Sequence, residues 1–344
     1  MDLFELTRQL IDIPSITGEE GAAGNLLASF LTELGYRVET LPLSEKRFNV
    51  FATRIAPATI VFSTHIDTVP PFIPSSEDAD YIYGRGSCDA KGIIAAQILA
   101  AEELHAQEFN EVGLLFTVDE EMASHGAQLA NKHEAARDCR FLINGEPTDN
   151  KLALGSKGSM RVNIRAKGVS AHSAYPEAGE SAIETLLDVL ENIRECEWPN
   201  DEYFGETTCN IGVVSGGTRP NVIPAEAFAD LQIRLTKDVE SIKSIVDRVV
   251  AGRAAIEYSS AHNPARFITM PGFEECLVRF TTDIPYLSNW GQPLLLGPGS
   301  ILDAHTDHER VSKKELREAV DLYAKLTEQL MKQLQNGSEA TDVN

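Results

Sequence analysis

A chain of 344 residues, 43% hydrophobic and 24% charged, is long enough for two hydrophobic cores and has the composition of a globular protein. Its 52 acidic side chains against 30 basic ones, a formal net charge of −22, leave no basic footprint for phosphate backbones or anionic lipid, so neither nucleic acid nor membrane is expected as a partner. Five scattered cysteines, never spaced as CxxC, argue against a disulfide framework; a start unlike a signal peptide and no apolar run of membrane-spanning length make the cytoplasm the expected location.

Taken in chain order, Thr17 and Glu20 have the spacing of a capping box for a helix carrying Leu26, Leu27, Phe30, Leu31 and Leu34, which Gly35 stops. Strands are predicted at Tyr36–Leu41, Asn49–Arg54, Ile60–Thr64, Val112–Val118 and Phe141–Asn144, with a helix over Gly92–Leu104. Several of these strands are continuously apolar, as strands covered on both faces should be. This is the grammar of an α/β fold, a mostly parallel sheet sandwiched by helices, whose ligands bind beyond the carboxyl ends of the strands.

From Ser159 the pattern changes. A strand alternates at Met160, Val162, Ile164 and Ala166, and a helix from Ser181 carries Ile183, Leu186, Leu187, Leu190 and Ile193. Strands near Asn210–Val214 and Ala227–Leu235 precede a helix with Ile242, Ile245, Val246 and Val249 and a strand near Ile256. The order βαββαβ is a ferredoxin-like split unit, inserted into the first domain. Residues 1–157 and 264–344 are assigned to the first domain and 158–263 to the insertion. A short strand at Pro293–Leu296, a helix capped by Ser312 and Glu315 running through Leu316, Val320, Tyr323, Leu326 and Leu330, and a polar tail from Gly337 predicted to be disordered complete the chain.

The unusual polar residues fall at strand ends. His65 and Asp67 follow the strand ending at Thr64, Asp119-Glu120-Glu121 the one ending at Val118, and Glu146 the one ending at Asn144. His305 lies beyond Leu296, and Asp89 sits in the Gly84 to Gly92 loop ahead of a helix. Two imidazoles and several carboxylates gathered at one sheet edge would repel without cations, and mixed nitrogen and oxygen donors suit zinc, cobalt or manganese better than calcium; a pair of divalent ions is the simplest resolution. Singly, each feature is commonplace: a His-x-Asp pair is more often a satisfied histidine, an acidic run a solvated turn, Cys88 a packing residue and His172 an ordinary loop histidine. The Gly-Arg-Gly loop lacks both the P-loop ending and the dinucleotide spacing, which makes nucleotide binding the poorer reading.

The ordered combination is specific. Ser63-Thr64-His65-Ile66-Asp67-Thr68-Val69-Pro70, the Gly84 to Gly92 loop, Asp119-Glu120-Glu121, Asn144-Gly145-Glu146-Pro147, Ala171-His172-Ser173-Ala174-Tyr175-Pro176, Arg219-Pro220-Asn221-Val222-Ile223-Pro224 and Gly297-Pro298-Gly299 with Ala304-His305-Thr306 occur in one chain. On these motifs the sequence resembles the zinc aminoacylase, acetylornithine deacetylase, succinyl-diaminopimelate desuccinylase and carboxypeptidase G family of metallohydrolases, over nearly its whole length. The resemblance implies a zinc-exopeptidase-like catalytic domain with the insertion as lid and dimerisation domain. It implies two metals bridged by Asp89, one completed by His65 and Glu146 and the other by Glu121 and His305, with Asp67 orienting His65 through its carboxylate and Glu120 as general base. His172 would reach the oxyanion of a partner subunit in a homodimer, and Asn221, Arg234, Tyr175 and Lys157 would hold a substrate carboxylate. The implied reaction is metal-dependent hydrolysis of the amide of an N-acyl amino acid, as in acetylornithine or succinyl-diaminopimelate, with a dipeptidase or carboxypeptidase using the same machinery as the alternative. The stretch after His305 departs from the family's pattern, with His308 where an acidic or amide residue commonly sits; the Ala-His-Thr context favours His305 as the ligand.

Overall fold

Continuously apolar runs become the inner strands of a six-stranded sheet in the computed structural model, which describes residues 2–55 and 57–339. Helices α1 (Leu3–Ile11) and α2 (Gly21–Glu33) precede β1 (Arg37–Pro42), β2 (Phe48–Thr53) and β3 (Ile60–His65); α3 (Lys91–Ala106), β4 (Val112–Thr117) and β5 (Phe141–Asn144) follow. The insertion contributes β6 (Gly158–Lys167), α4 (Ala182–Glu195), β7 (Thr208–Gly216), β8 (Glu226–Leu235), α5 (Val239–Val250) and β9 (Ala255–His262), and the chain ends with β10 (Gln292–Leu295) and α6 (Lys313–Glu339). Shorter elements are left unlabelled.

The first sheet has the order β1-β2-β4-β3-β5-β10. Strands β4, β3, β5 and β10 are parallel, while β2 runs antiparallel to both β1 and β4. The parallel part is the buried part: every residue of β3, β4 and β5 is inaccessible, which explains why the sequence shows no alternation there. Helix α3 is buried around most of its circumference, with Ile93, Ile94, Ala95, Ala96, Ile98, Ala100 and Ala101 fully buried, because it packs against the sheet and helices α1 and α6.

The chain separates into two compact units, residues Met1–Leu154, Phe267–Cys276 and Thr282–Asn344 in one, Gly155–Arg266 with Leu277–Thr281 in the other. The second unit is an antiparallel sheet of order β7-β8-β6-β9 with α4 and α5 on one face, the βαββαβ topology. Its core is the alternating set Met160, Val162, Ile164 and Ala166 on β6 with Ala229, Leu231, Ile233 and Leu235 on β8, closed by Leu186, Val189, Ile193, Ile242 and Val246. Each of the Val, Leu, Ile and Met side chains in this set, fully buried, stabilises by roughly 1.5–3 kcal/mol, which is what fixes the register of the strands.

Three local expectations are corrected. Glu20 makes no cap for α2; it is fully buried and bonded to Arg47, while the Thr17 hydroxyl serves Asp67, so tertiary partners outcompete the local box. At α6 the Ser312 hydroxyl does accept from the Glu315 N–H, but the Glu315 carboxylate turns to the N–H of Gly299 instead of closing the box. The helix also continues past Gly337 to Glu339; the remainder of the tail predicted to be disordered lies outside the described residues.

Candidate metal centre

Four parallel strands ending side by side deliver their following residues to one place. His65 is the last residue of β3, Glu120 and Glu121 lie just past β4, Glu146 just past β5 and His305 beyond β10, while Asp89 stands two residues before α3. All but Glu120, Glu121 and His305 are buried to within a few per cent. Nε2 of His65 is 2.9 Å from Oδ1 of Asp89 and 3.9 Å from Oε2 of Glu146. On the other side, Nε2 of His305 is 3.3 Å from Oδ2 of Asp89 and 3.0 Å from Oε1 of Glu121. The two oxygens of one carboxylate thus face two different imidazoles. His308, the alternative in the sequence, is exposed, as is His305, and it is His305 that meets Asp89 and Glu121.

The electrostatics call for cations. Burial, then the charge of Glu146, raises the Glu120 carboxyl well above its ordinary range, and burial likewise raises Glu146 and, with Asp89, Glu121. Burial opposes charging His65, yet its bonds to Asp67 and Asp89 raise its pKa; His305 is pushed up to about 10 by its bonds to Asp89 and Glu121. Burial would raise Asp89, but the two imidazoles bonded to it hold it well below the carboxylate range. Protons on the imidazoles occupy the role that metal charge would take. The donors suit divalent metal: ligand atoms of His65, Asp89 and Glu121 lie within 4.8 Å of one another, and the two oxygens of Asp89 turn to different imidazoles. In addition, Oε1 of Glu146 is buried without a hydrogen-bond partner among the described residues, a vacancy in bonding that a cation would fill.

A shell of further residues sets these groups in place. Nδ1 of His65 lies 2.9 Å from the main-chain oxygen of Asp67 and 3.6 Å from its carboxylate, so the carbonyl is the nearer partner of the ring. The Asp67 carboxylate, besides facing His65, accepts from the main-chain N–H groups of Glu120 (3.1 Å) and Glu121 (3.2 Å) and from the Thr17 hydroxyl (2.9 Å). It therefore holds the turn that carries both glutamates. That turn is gripped from the far side as well: Asp119, at φ +73°, accepts from Arg47 (2.6 Å) and pairs with His125 (2.7 Å), and Arg47 also bonds both oxygens of Glu20.

Two acids escaped the sequence reading. Asp283, buried and raised to about 6 chiefly by burial, accepts from the Thr117 hydroxyl at 2.7 Å beneath the same turn. Glu309, also buried, pairs with Arg85. Neither has a local signature; the one available signal is that Asp283 stands between the buried Thr282 and Ile284, and Glu309 has not even that, with exposed residues before it.

In the second unit, His172 is exposed on a loop bridged to Val222, with Tyr175 edge-on to its ring at 6.3 Å. Its Nδ1 accepts the Ala174 N–H at 3.1 Å, so the neutral ring carries its proton on Nε2, facing outward as a donor. Tyr175, three residues on, is exposed, as is Asn221, whose main-chain oxygen accepts the Ser173 N–H at 3.1 Å. Arg234 lies on the open face of β8, its Nη1 3.5 Å from the Thr281 hydroxyl, and Lys157 is buried with its ammonium donating to the main-chain oxygen of Glu206.

A family model described as a peptidase dimerisation domain matches residues 154–256. A peptidase M20 domain-containing protein of Schizosaccharomyces pombe is 36% identical over 337 residues, covering 94% of this chain and 84% of that protein. A protein of Aspergillus terreus named as a probable carboxypeptidase is 37% identical over 369 residues, with 94% and 85% covered. Among solved structures, a tripeptidase from Staphylococcus aureus superposes with a TM-score of 0.77 at 21% identity, covering 94% of this chain and 96% of that one. An M20 family metallo-carboxypeptidase from Sulfolobus solfataricus does so at 0.74 and 17%, covering 94% and 98%. Both share the fold, a catalytic domain with an inserted dimerisation domain.

Proposed function

The chain belongs to the M20 peptidase family, and from that premise we propose that it is a two-metal hydrolase cleaving the amide bond that precedes a free amino-acid carboxylate, in the manner of a carboxypeptidase or dipeptidase. One observation carries the reading: the oxygens of Asp89 face His65 on one side and His305 on the other, with Glu120 beside the ligand Glu121. Names of the relatives favour the peptidase over the N-acyl-amino-acid deacylase, although attack on either amide is the same chemistry.

His65 with Glu146, and Glu121 with His305, would hold the two ions, Asp89 lying between them. Zinc, cobalt or manganese bound there supplies Lewis acidity and a low pKa for water. Glu120 is then the carboxylate left over from ligation, and it takes a proton from the attacking water and returns it to the departing amine. Its turn, fastened by Asp67 and Arg47, keeps the base at a fixed distance from the ligands, which is what makes proton transfer intramolecular. His172 would donate its Nε2 proton to the oxyanion in the partner's site, and Arg234 with Asn221, Tyr175 and Lys157 would meet the substrate carboxylate. A homodimer is supported by the dimerisation-domain match and by β7, an edge strand exposing Val213 and Val214.

A panel of dipeptides, N-acetyl and N-succinyl amino acids, assayed with zinc, cobalt or manganese added back, tests the proposal. Release of the carboxyl-terminal amino acid from dipeptides is expected. Turnover confined to N-acyl substrates would transfer the assignment to the deacylases, and no turnover of any member in metal-loaded protein would overturn it.

A further inference from the structure

The loop Gly84 to Gly92 does cradle an anion, and the anion is a side chain of the protein. Oε1 of Glu309 accepts from the main-chain N–H groups of Gly86 (2.9 Å), Asp89 (3.2 Å) and Cys88 (3.3 Å), three donors converging on one oxygen. Its other oxygen takes the guanidinium of Arg85 at 2.6 Å, and the same Nη1 donates to the main-chain oxygen of Thr306 at 3.1 Å. Both side chains are buried, Glu309 to 1% and Arg85 to 2% exposure. The main chain of Glu309 adds a bond from the Gly84 N–H at 3.0 Å. Gly86, at φ +89° and with no room for a Cβ against Lys91 and Thr68, is what lets the loop wrap the carboxylate.

This arrangement spans the centre. Asp89, whose oxygens face both imidazoles, is bonded to Glu309 through its own N–H, and His305 is the residue before Thr306. We propose that Glu309, through Arg85, is a positioning residue of the metal centre: it sets Asp89 and His305, ligands separated by more than two hundred positions in the chain, in register before metal arrives. The proposal rests on the ligand set assigned above. A carboxylate is required because three N–H donors and a guanidinium converge on it, and a neutral amide would turn one of its own N–H donors toward them.

The test is cobalt titration of metal-free protein followed by visible absorption, which reads affinity and coordination geometry without turnover. Glu309→Gln is expected to weaken uptake of both equivalents by about 10–100-fold, the usual loss when a ligand's outer hydrogen-bond partner is removed, and to alter the ligand-field bands. Arg85→Met, which leaves Asp89 held by Glu309 but frees the Thr306 carbonyl, should weaken chiefly one equivalent. If Glu309→Gln lowers only the melting temperature of the metal-free protein and binds cobalt as the wild type does, Glu309 is structural and the proposal falls. Should Glu309→Gln fail to fold, Arg85→Met decides: wild-type affinity for both equivalents overturns the proposal, and selective weakening of one supports it. A wild-type chain that takes up no cobalt at all would overturn the metal centre itself, an outcome distinct from either.

Discussion

In the second unit the face of the sheet turned to α4 and α5 is Met160, Val162, Ile164, Ala166, Leu231 and Ile233, and the charges Arg161, Arg165 and Lys167 alternate onto the other face. In the first unit, by contrast, Glu20, Asp67, Arg85, Asp89, Glu146, Asp283 and Glu309 are as inaccessible as its leucines. Burying a charge costs several kcal/mol unless it is met, and none of these lies inside the sheet itself: Glu20 stands at the start of α2 and the others stand in loops. The difference teaches that the apolar cores hold the chain together while the first unit gathers most of its buried charge around one edge of its sheet, where it is met by hydrogen bonds, by ion pairs and, on our reading, by metal.

The comparison can be broken most severely by removing the metal. Chelation should abolish turnover and zinc, cobalt or manganese should restore it; full activity in protein shown by elemental analysis to be metal-free would mean the buried charge serves something else. Next, Glu120→Gln should lower turnover by at least about a hundredfold with metal content unchanged, because the amide keeps the shape and loses the base. Metal loss in its place would exchange the roles of Glu120 and Glu121.

The second unit is expected to act on the reacting group through His172, its other named residues serving to bind the substrate carboxylate. His172→Ala should cost on the order of a hundredfold in turnover with metal binding intact, the effect of losing an oxyanion donor. If His172→Ala and Glu120→Gln chains are refolded together in equal amounts, each heterodimer contains one site with both groups, so roughly a quarter of wild-type activity should return. A mixture that stays inactive although heterodimers are shown by mass spectrometry would place His172 in its own subunit's chemistry or in none. Leu231→Ala, deep in the same unit, should instead destabilise by about 2–5 kcal/mol in thermal or denaturant unfolding while cobalt affinity stays at the wild-type value.

The smallest effect is that of pH on metal-free protein. His305, bonded to Asp89 and Glu121, is raised to about 10, above the roughly 6.5 of an unfolded histidine. Its contribution to stability is therefore complete below about pH 6.5 and lost as pH rises through about 10. The melting temperature of chelated protein should fall across that window, and metal-loaded protein, whose imidazoles carry no proton to lose, should show a flatter profile. Equal slopes for the two forms would separate His305 from the metal.

Alternation and apolar runs were enough to mark the strands of the six- and four-stranded sheets and the helices Lys91–Ala106, Ala182–Glu195 and Val239–Val250, because burial of one stripe or of a whole segment leaves a period in the chain, while short strands such as Tyr81–Tyr83 and Leu152–Ser156 left none. The strand-end acids and histidines were legible for the same reason: a parallel sheet sends its carboxyl ends to one edge whatever the loops do. What the chain alone could not decide was which partner each polar group takes. Thr17 and Glu20 have the spacing of a helix cap and serve Asp67 and Arg47; Asp67 has the spacing of a histidine's partner and holds the glutamate turn with its carboxylate. Glu309 and Asp283 carry no spacing at all, since their partners Arg85 and Thr117 are 224 and 166 positions away. A buried carboxylate is satisfied by whatever donors the fold brings within about 3 Å, and only the tertiary structure decides which those are.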